Sequence, residues 1–148
     1  MNNKPLNEYN AMPVLERLER MIEAGWSRRI RDVYDDLSIF DWWPERLTLT
    51  HMKQMRTFLN EAIKLGYDGY VCFKVGASGC ANGMWAHKEE SKDGYSPDGD
   101  CIYRSFTPDY TYYAAKKDGK FYPGDDTDGA KYDSCKTIKQ LEELLARI

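Results

Sequence analysis

The segment from Gly69 to Phe106 constrains the fold of this 148-residue chain more than any other stretch. Three short runs rich in aromatic and β-branched residues follow one another here, separated by clusters of glycine, serine, proline and aspartate. Such runs are typical of strands joined by turns, so the segment predicts an antiparallel β-meander. Two later runs can form a hairpin across the turn Asp118-Gly119. The predicted strands cover Tyr70–Val75, Met84–Glu89, Cys101–Phe106, Asp109–Lys116 and Lys120–Tyr122.

The segments outside this β region carry apolar residues at the spacing of amphipathic helices, which are expected to cover the sheet. Residues 1–10 are polar and are expected to be frayed. Helices are predicted from Pro13 to Gly25, from Ser27 to Pro44, from Thr48 or Thr50 to Gly66, and from the capping box Thr137–Gln140 to Ile148. The chain is therefore predicted to be a single α+β domain, residues 1–148, with three N-terminal helices, an antiparallel meander of four to five strands and a C-terminal helix.

The charge balance limits the partners that the chain can bind. It has 21 basic and 24 acidic residues and a formal net charge of −3, which argues against a dedicated nucleic-acid-binding protein because such proteins carry a basic face. No apolar run approaches the roughly 20 residues that a membrane span needs, and the N-terminus lacks the apolar region of a secretory signal. The protein is therefore expected to be soluble and cytoplasmic, and to bind neither nucleic acid directly nor a membrane.

The glycine cluster Gly76–Gly83 is the first candidate for a ligand site. Consecutive backbone amides in such a turn can form a nest that holds an anion. The cluster lacks the lysine and serine of a phosphate-binding P-loop, and no helix is predicted after it, so a wide hairpin loop is the commoner interpretation. The alternative that stays open is a small-molecule or nucleotide-binding protein, or an enzyme, that uses Lys74, Ser78, Gly79, Cys80, His87 and Arg104.

Cysteine and histidine are present, but their spacing favours no metal or catalytic site. The four cysteines, Cys72, Cys80, Cys101 and Cys135, form no CxxC pair and are expected to be free thiols. A nucleophilic pair of Cys80 and His87 would need a third group to orient the imidazole, and the commoner interpretation is a hairpin cysteine beside a surface histidine. One aspartate-rich segment superficially follows a calcium-binding loop, but glycine and cysteine occupy its first and last ligand positions. No catalytic residue, metal or cofactor is therefore predicted.

Aspartate and tyrosine together make the most distinctive surface feature that the sequence predicts. The chain has 11 tyrosines, and six of them straddle two acidic loops. Aspartates that face arginine and lysine speed and orient docking, and tyrosines are common anchors of protein interfaces. Stacking of nucleobases on these tyrosines is a competing use, but the scarcity of arginine among them counts against it. The predicted partner-binding residues are Asp93, Tyr95, Asp98, Asp100, Tyr110, Tyr112, Asp125, Asp126 and Asp128.

Three passages in the middle third of the chain resemble small, uncharacterised proteins carried by phages and prophages of Gram-positive gut bacteria. They are GYVCFKVG at 69–76, GCANGMWAH at 79–87 and DGYSPDGD at 93–100. The resemblance implies a class, because small, acidic, single-domain phage proteins of this sort often counter host defence. Anti-CRISPR proteins are a prominent group among them, and they bind a nuclease effector to block its nucleic-acid channel or its conformational change. No catalytic residues come with the resemblance.

The function that we expect is that of a phage-derived, anti-CRISPR-like host-defence inhibitor in the bacterial cytoplasm. Its partner would be a nucleic-acid-binding nuclease effector, held by the acidic, tyrosine-rich surface. A further alternative is a homodimeric structural or regulatory prophage protein. Its self-complementary apolar patch would combine Trp42, Trp43 and the rim of the third predicted helix.

Overall fold

The computed structural model describes residues 8–25, 49–75, 81–92, 99–106, 112–124 and 135–148. This part of the chain is α+β, as predicted, with three helices and one six-stranded antiparallel sheet. The elements are, in chain order, β1 (Glu8–Asn10), α1 (Ala11–Glu23), α2 (Leu49–Lys64), β2 (Tyr70–Val75), β3 (Ala81–His87), β4 (Cys101–Ser105), β5 (Tyr113–Lys117), β6 (Lys120–Tyr122) and α3 (Ile138–Arg147).

The sheet is a meander in which the spatial order of the strands follows the order along the chain, from β1 to β6. Its first strand was not predicted: residues 8–10 pair antiparallel with β2, and the Ala11 amide donates to the Gly69 carbonyl oxygen over 3.0 Å. The expectation of a frayed terminus is therefore wrong for these three residues. The free edge of β2 accounts for the difference, because an unpaired strand edge accepts even a short polar segment.

The strand boundaries shift by a few residues from the predicted ones. β3 begins at Ala81 and ends at His87, so it includes three residues, 81–83, that were predicted to belong to the turn after β2. β5 begins at Tyr113, later than predicted. The hairpin of β5 and β6 turns at Asp118-Gly119, as predicted, with φ of +52° and +79° at these residues. Two positive φ values identify the type I′ turn that matches the twist of paired strands.

Two predicted N-terminal helices are present as α1 and α2, and both bury one apolar face. The glycines that follow them, Gly25 and Gly66, have φ of +66° and +93°, a left-handed conformation that ends a helix. The helix predicted from Ser27 to Pro44 lies outside the described residues. None of the described helices combines the length and the apolar composition that crossing a bilayer requires.

The C-terminal helix α3 begins at the predicted capping box. The Gln140 amide donates to Thr137 Oγ1 over 3.2 Å, and the Thr137 amide donates to Gln140 Oε1 over 3.3 Å. Each residue thus satisfies a backbone donor of the other, which fixes the first turn. The apolar face of α3, centred on Leu141, packs with α1 and α2 in one core.

Both faces of the sheet carry buried side chains, because neighbouring residues of a strand point to opposite faces. The helix-facing side supplies Val71, Ala86, Ile102 and Ala115 to the main core. On the other side, Trp85, Tyr103, Tyr112 and Ala114 form a second cluster. The sheet is therefore a layer between two cores and not a one-sided cover for the helices.

One aromatic contact on this face joins two strands that are not neighbours. The ring centroids of Trp85 on β3 and Phe121 on β6 are 6.1 Å apart, although β4 and β5 lie between these strands. Strand spacing alone would separate β3 and β6 by about 14 Å. On the two intervening strands, this face carries Tyr103, which packs on Trp85, and Ala114.

Candidate functional site

The meander places its connections at two opposite ends of the sheet. We call one the Asp100 end, where residues 88–92, 99–100 and 118–119 join the strands. We call the other the Tyr112 end, where β2 ends, β3 begins and residues 106, 112, 124 and 135 lie. The five residues of β5 separate the two ends by about 15 Å.

The two described residues of the predicted acidic and aromatic surface, Asp100 and Tyr112, lie at different ends of the sheet. Asp100 lies at the Asp100 end, and the segment that holds Asp93, Tyr95 and Asp98 joins the sheet there. The segments that hold the other predicted residues join the sheet at the Tyr112 end, after Phe106 and Gly124. The residues outside the described part of the chain are Asp93, Tyr95, Asp98, Tyr110, Asp125, Asp126 and Asp128.

Asp100 is an exposed carboxylate in a fixed position. Its Oδ1 accepts a hydrogen bond from the Asp118 amide over 3.2 Å, which ties the start of β4 to the turn between β5 and β6. Gly99 before it has a φ of +70°, a left-handed conformation that favours glycine. Nearby, the pKa of Tyr67 is raised by burial and, to a smaller extent, by the Asp100 charge. The carboxylate is thus both accessible to a partner and anchored to the sheet.

Tyr112 is not the surface anchor that the sequence predicts. Its side chain is only 6% exposed, and its ring centroid lies 5.8 Å from that of Tyr103. Tyr103 in turn packs on Trp85 with a centroid distance of 4.7 Å. The prediction is wrong for this residue because the face of the sheet opposite the helices is buried, so a tyrosine there belongs to a core.

His87 is also buried, with no exposed surface, although a surface position was expected. Its Nδ1–H donates to the carbonyl oxygen of Glu89 over 2.6 Å, because a carbonyl can only accept. That tautomer leaves Nε2 to accept from the thiol of Cys72, with Sγ and Nε2 3.4 Å apart. The Tyr70 ring stacks on the imidazole at 5.9 Å.

The histidine therefore has a cysteine neighbour and an orienting group, but the cysteine is Cys72 and not the predicted Cys80, which lies outside the described residues. A thiol, an imidazole and an oriented Nδ1–H are the parts of a nucleophilic Cys–His pair. Cys72 is 1% exposed, however, so a substrate has no access to its sulfur in this conformation. The register in which β2 pairs with β3 brings these residues together, and local sequence does not specify that register.

The two described side chains of the predicted ligand site, His87 and Arg104, are not brought together. His87 ends β3 at the Asp100 end, and its side chain lies on the face of the sheet opposite the helices. Arg104 lies on the helix-facing side, where its Nη1 donates to the backbone oxygen of Gln54 over 3.2 Å. Ser78, Gly79, Cys80 and the side chain of Lys74 lie outside the described part of the chain.

The buried thiols are poor candidates for metal binding. Cys72, Cys101 and Cys135 are buried free cysteines. Burial raises the pKa of Cys101 to about 12 and also raises that of Cys135, so both remain protonated at neutral pH, whereas a metal binds the thiolate. Among the residues that the structure describes, no three histidine, cysteine or acidic side chains lie together as a metal site would require.

Most of the patch predicted for a homodimer lies outside the described residues, because Trp42 and Trp43 are not among them. On α2, the third predicted helix, the apolar side chains Met52, Met55, Phe58, Leu59 and Ala62 are buried in the main core. The large hydrophobic side chains that the described part exposes are Met12 and Ile148, and neither lies on α2.

The chain was compared with protein-family models, with curated proteins and with solved structures. None of the three comparisons finds a match. Function therefore has to follow from the residues and the geometry of this chain.

Proposed function

We propose that the protein is a non-enzymatic, phage-derived and anti-CRISPR-like inhibitor that docks an acidic surface on a nucleic-acid-binding nuclease effector of its bacterial host. The observation that supports this most is the position of Asp100. Its carboxylate is exposed at the end of the sheet and is held there by the Asp118 amide. Asp100 is also the last residue of the acidic segment that begins at Asp93. This segment therefore joins the sheet at a carboxylate whose position is fixed.

The charge of such a surface suits a nuclease effector as partner. These proteins hold nucleic acid in a positively charged channel lined by arginine and lysine. A carboxylate offers the same bidentate geometry to arginine as a phosphate does, so aspartates can occupy the positions of phosphate groups. Exposed charges of this kind act mainly on the rate and the orientation of docking. Binding should therefore weaken when salt is added.

The acidic residues form two groups along the chain. The first group, Asp93, Asp98 and Asp100, is joined to the Asp100 end, and the second, Asp125, Asp126 and Asp128, follows Gly124 at the Tyr112 end. Within the first group, Asp100 is an exposed carboxylate that the Asp118 amide holds in place. We therefore assign the principal contact with the nuclease to the first group.

The test uses two matched variants, each of which removes three negative charges. One carries Asp93→Asn, Asp98→Asn and Asp100→Asn, and the other carries Asp125→Asn, Asp126→Asn and Asp128→Asn. Asparagine at position 100 keeps an oxygen for the Asp118 amide, so the fold should be preserved, and circular dichroism checks this. The nuclease partner is first captured on the tagged chain from nuclease-treated host lysate and is then purified for titrations.

We expect the first variant to bind the purified nuclease about tenfold more weakly, since exposed ion pairs contribute about 0.2 to 1 kcal/mol each. The second variant should bind nearly as well as the wild type, and inhibition of DNA cleavage should follow the same order. Equal binding by all three proteins, with an affinity that does not change between about 50 and about 300 mM salt, would contradict the proposal.

A further inference from the structure

The last strand, β6, lies at one edge of the sheet and pairs with β5. The two-residue turn at Asp118-Gly119 makes Lys117 and Lys120 the first hydrogen-bonded pair of this hairpin. Hydrogen-bonded and non-hydrogen-bonded pairs alternate along antiparallel strands, so the backbone N–H and C=O of Phe121 point away from β5. Among the described residues, no other strand pairs with β6 on that outer side.

A groove runs along the outer edge of β6. Its volume is about 560 Å³, and the described residues that line it are the consecutive residues 119–124. No residue of β5, which the structure describes in full, contributes to this lining, so the groove lies on the outer side of the strand. Binding sites for small ligands measure about 300 to 1,000 Å³, so the groove has room for a few residues of an extended chain.

The hairpin that carries this edge is held in place on both faces of the sheet. On one face, the Phe121 ring lies 6.1 Å from the Trp85 ring, and Lys116 Nζ lies 5.9 Å from the Phe121 centroid. On the other face, Lys117 Nζ donates to the backbone oxygen of Ile148 over 3.2 Å. An edge that is already ordered binds a strand at a lower entropic cost than one that must first fold.

Charge identifies the kind of segment that this edge accepts. Lys120 is exposed and has no ion-pair partner among the described residues. Side chains directly opposite each other on antiparallel strands are neighbours, so a carboxylate opposite Lys120 is favoured and a lysine there is repelled. Asp118 in the turn has the opposite charge, which confines the preference to this one position.

Two further features restrict the occupant. Pro123 follows β6 and has no N–H, so a long partner strand finds no further donor there and a short segment is sufficient. β6 itself reads Lys-Phe-Tyr and carries no acidic residue, so the edge of a second copy does not supply the carboxylate.

We propose that the outer edge of β6 binds a short, extended segment of a partner protein by β-strand addition, with an acidic residue of that segment opposite Lys120. The segment exchanges two backbone hydrogen bonds with Phe121 and places an apolar residue beside the Phe121 ring. This contact depends on a lysine and a strand edge, so it is independent of the acidic surface assigned to Asp100.

The experiment follows the backbone amides of the full chain by NMR spectroscopy during titration with synthetic peptides. The first peptide is acetyl-Val-Glu-Val-Glu-Val-amide, and the second has lysine in place of glutamate. The third is the acidic peptide with its central valine N-methylated, which removes one backbone donor. Free sodium glutamate tests for binding by charge alone. Lys120→Glu is the test variant, and Lys53→Glu, at an exposed position of α2, is the matched control.

We expect the Phe121 amide signal to shift and saturate with the acidic peptide, and its hydrogen exchange to slow at least about tenfold at saturation. The Tyr122 amide, which points to β5, should keep its exchange rate. Lys120→Glu should weaken binding of the acidic peptide about fivefold and make the basic peptide the better ligand, whereas Lys53→Glu should leave the preference unchanged.

Absence of a saturable shift at the Phe121 amide overturns the proposal, and so does equal binding of the acidic and basic peptides. An N-methylated peptide that binds as well as its parent, or free glutamate that gives the same shifts as the acidic peptide, shows a contact by charge alone and overturns strand addition.

Discussion

Replacing Gly83 with alanine is expected to destabilise the protein strongly, because the Tyr103 ring occupies the space of the new methyl group. Gly83 lies on β3 opposite Ser105, and a Cβ built on it would overlap the hydroxyl and two ring carbons of Tyr103. Tyr103 is only 2% exposed and is packed between Trp85 and Tyr112. The ring has no free space on the surface side into which it can move.

The expected loss of stability is worked out from the overpacking and from the aromatic contacts that the Tyr103 ring loses. Overpacking of a core costs about 1 to 3 kcal/mol. Each disturbed aromatic contact adds about 0.5 to 1.5 kcal/mol, and Tyr103 has two of them. Alanine itself is favoured over glycine inside a strand by about 0.5 to 1 kcal/mol, which offsets part of this loss. We expect a net loss of about 3 kcal/mol, or a Tm lowered by roughly 10 °C for a chain of this size.

Urea unfolding followed by tryptophan fluorescence measures this loss, and the key comparison is a double-mutant cycle with Tyr103→Leu. In the Tyr103→Leu background, Gly83→Ala should cost less than about 1 kcal/mol, because the overlapping ring is absent. Gly119→Ala is the control for backbone strain alone, since Gly119 has a φ of +79° and no atom within 4 Å of its Cβ position. A cost of Gly83→Ala below about 0.5 kcal/mol, or one that Tyr103→Leu leaves unchanged, would refute the reasoning.

Other parts of the fold give three further predictions. Thr137→Ala removes half of the capping box that begins α3 and should cost about 1 kcal/mol in urea unfolding, whereas Thr137→Ser should be nearly neutral. Burial raises the pKa of Tyr113 to about 12 from 10.0, so its contribution to stability is complete below pH 10 and is lost as the pH rises from 10 towards 12. Thermal melts of Tyr113→Phe should show a smaller loss of stability over that range than melts of the wild type, and an equal loss would contradict the assignment. Iodoacetamide should label Cys72 and Cys101 slowly in the folded protein and rapidly in urea, because both are buried, and rapid labelling of the native chain at either site would show that the site opens.

The candidate site shows which functional residues can be predicted from the sequence and which cannot. Asp100 is exposed, as an aspartate between a glycine and a strand usually is, and its role in binding a partner stays a prediction. Tyr112 is buried, because the same alternation fits a tyrosine on a solvated face and one on a second buried face. The contact of His87 with Cys72 was missed for a related reason: it joins residues of two strands, and it depends on the register that pairs Tyr70 with His87.

The amino-acid sequence by itself determined the elements whose causes are local. The apolar spacing and the terminal glycines specify α1 and α2, the reciprocal bonds of Thr137 and Gln140 begin α3, and Asp118-Gly119 forms the turn between β5 and β6. Each of these depends on residues a few positions apart, so local propensity is sufficient.

The contacts between segments that are distant in the chain were decided only by the tertiary structure. It paired residues 8–10 with the edge of β2, brought Trp85 and Phe121 together across two intervening strands, and placed Arg104 against Gln54 of α2. These outcomes depend on strand register and on the burial of both sheet faces. Register and burial arise from contacts between residues far apart in the chain, which no local pattern encodes.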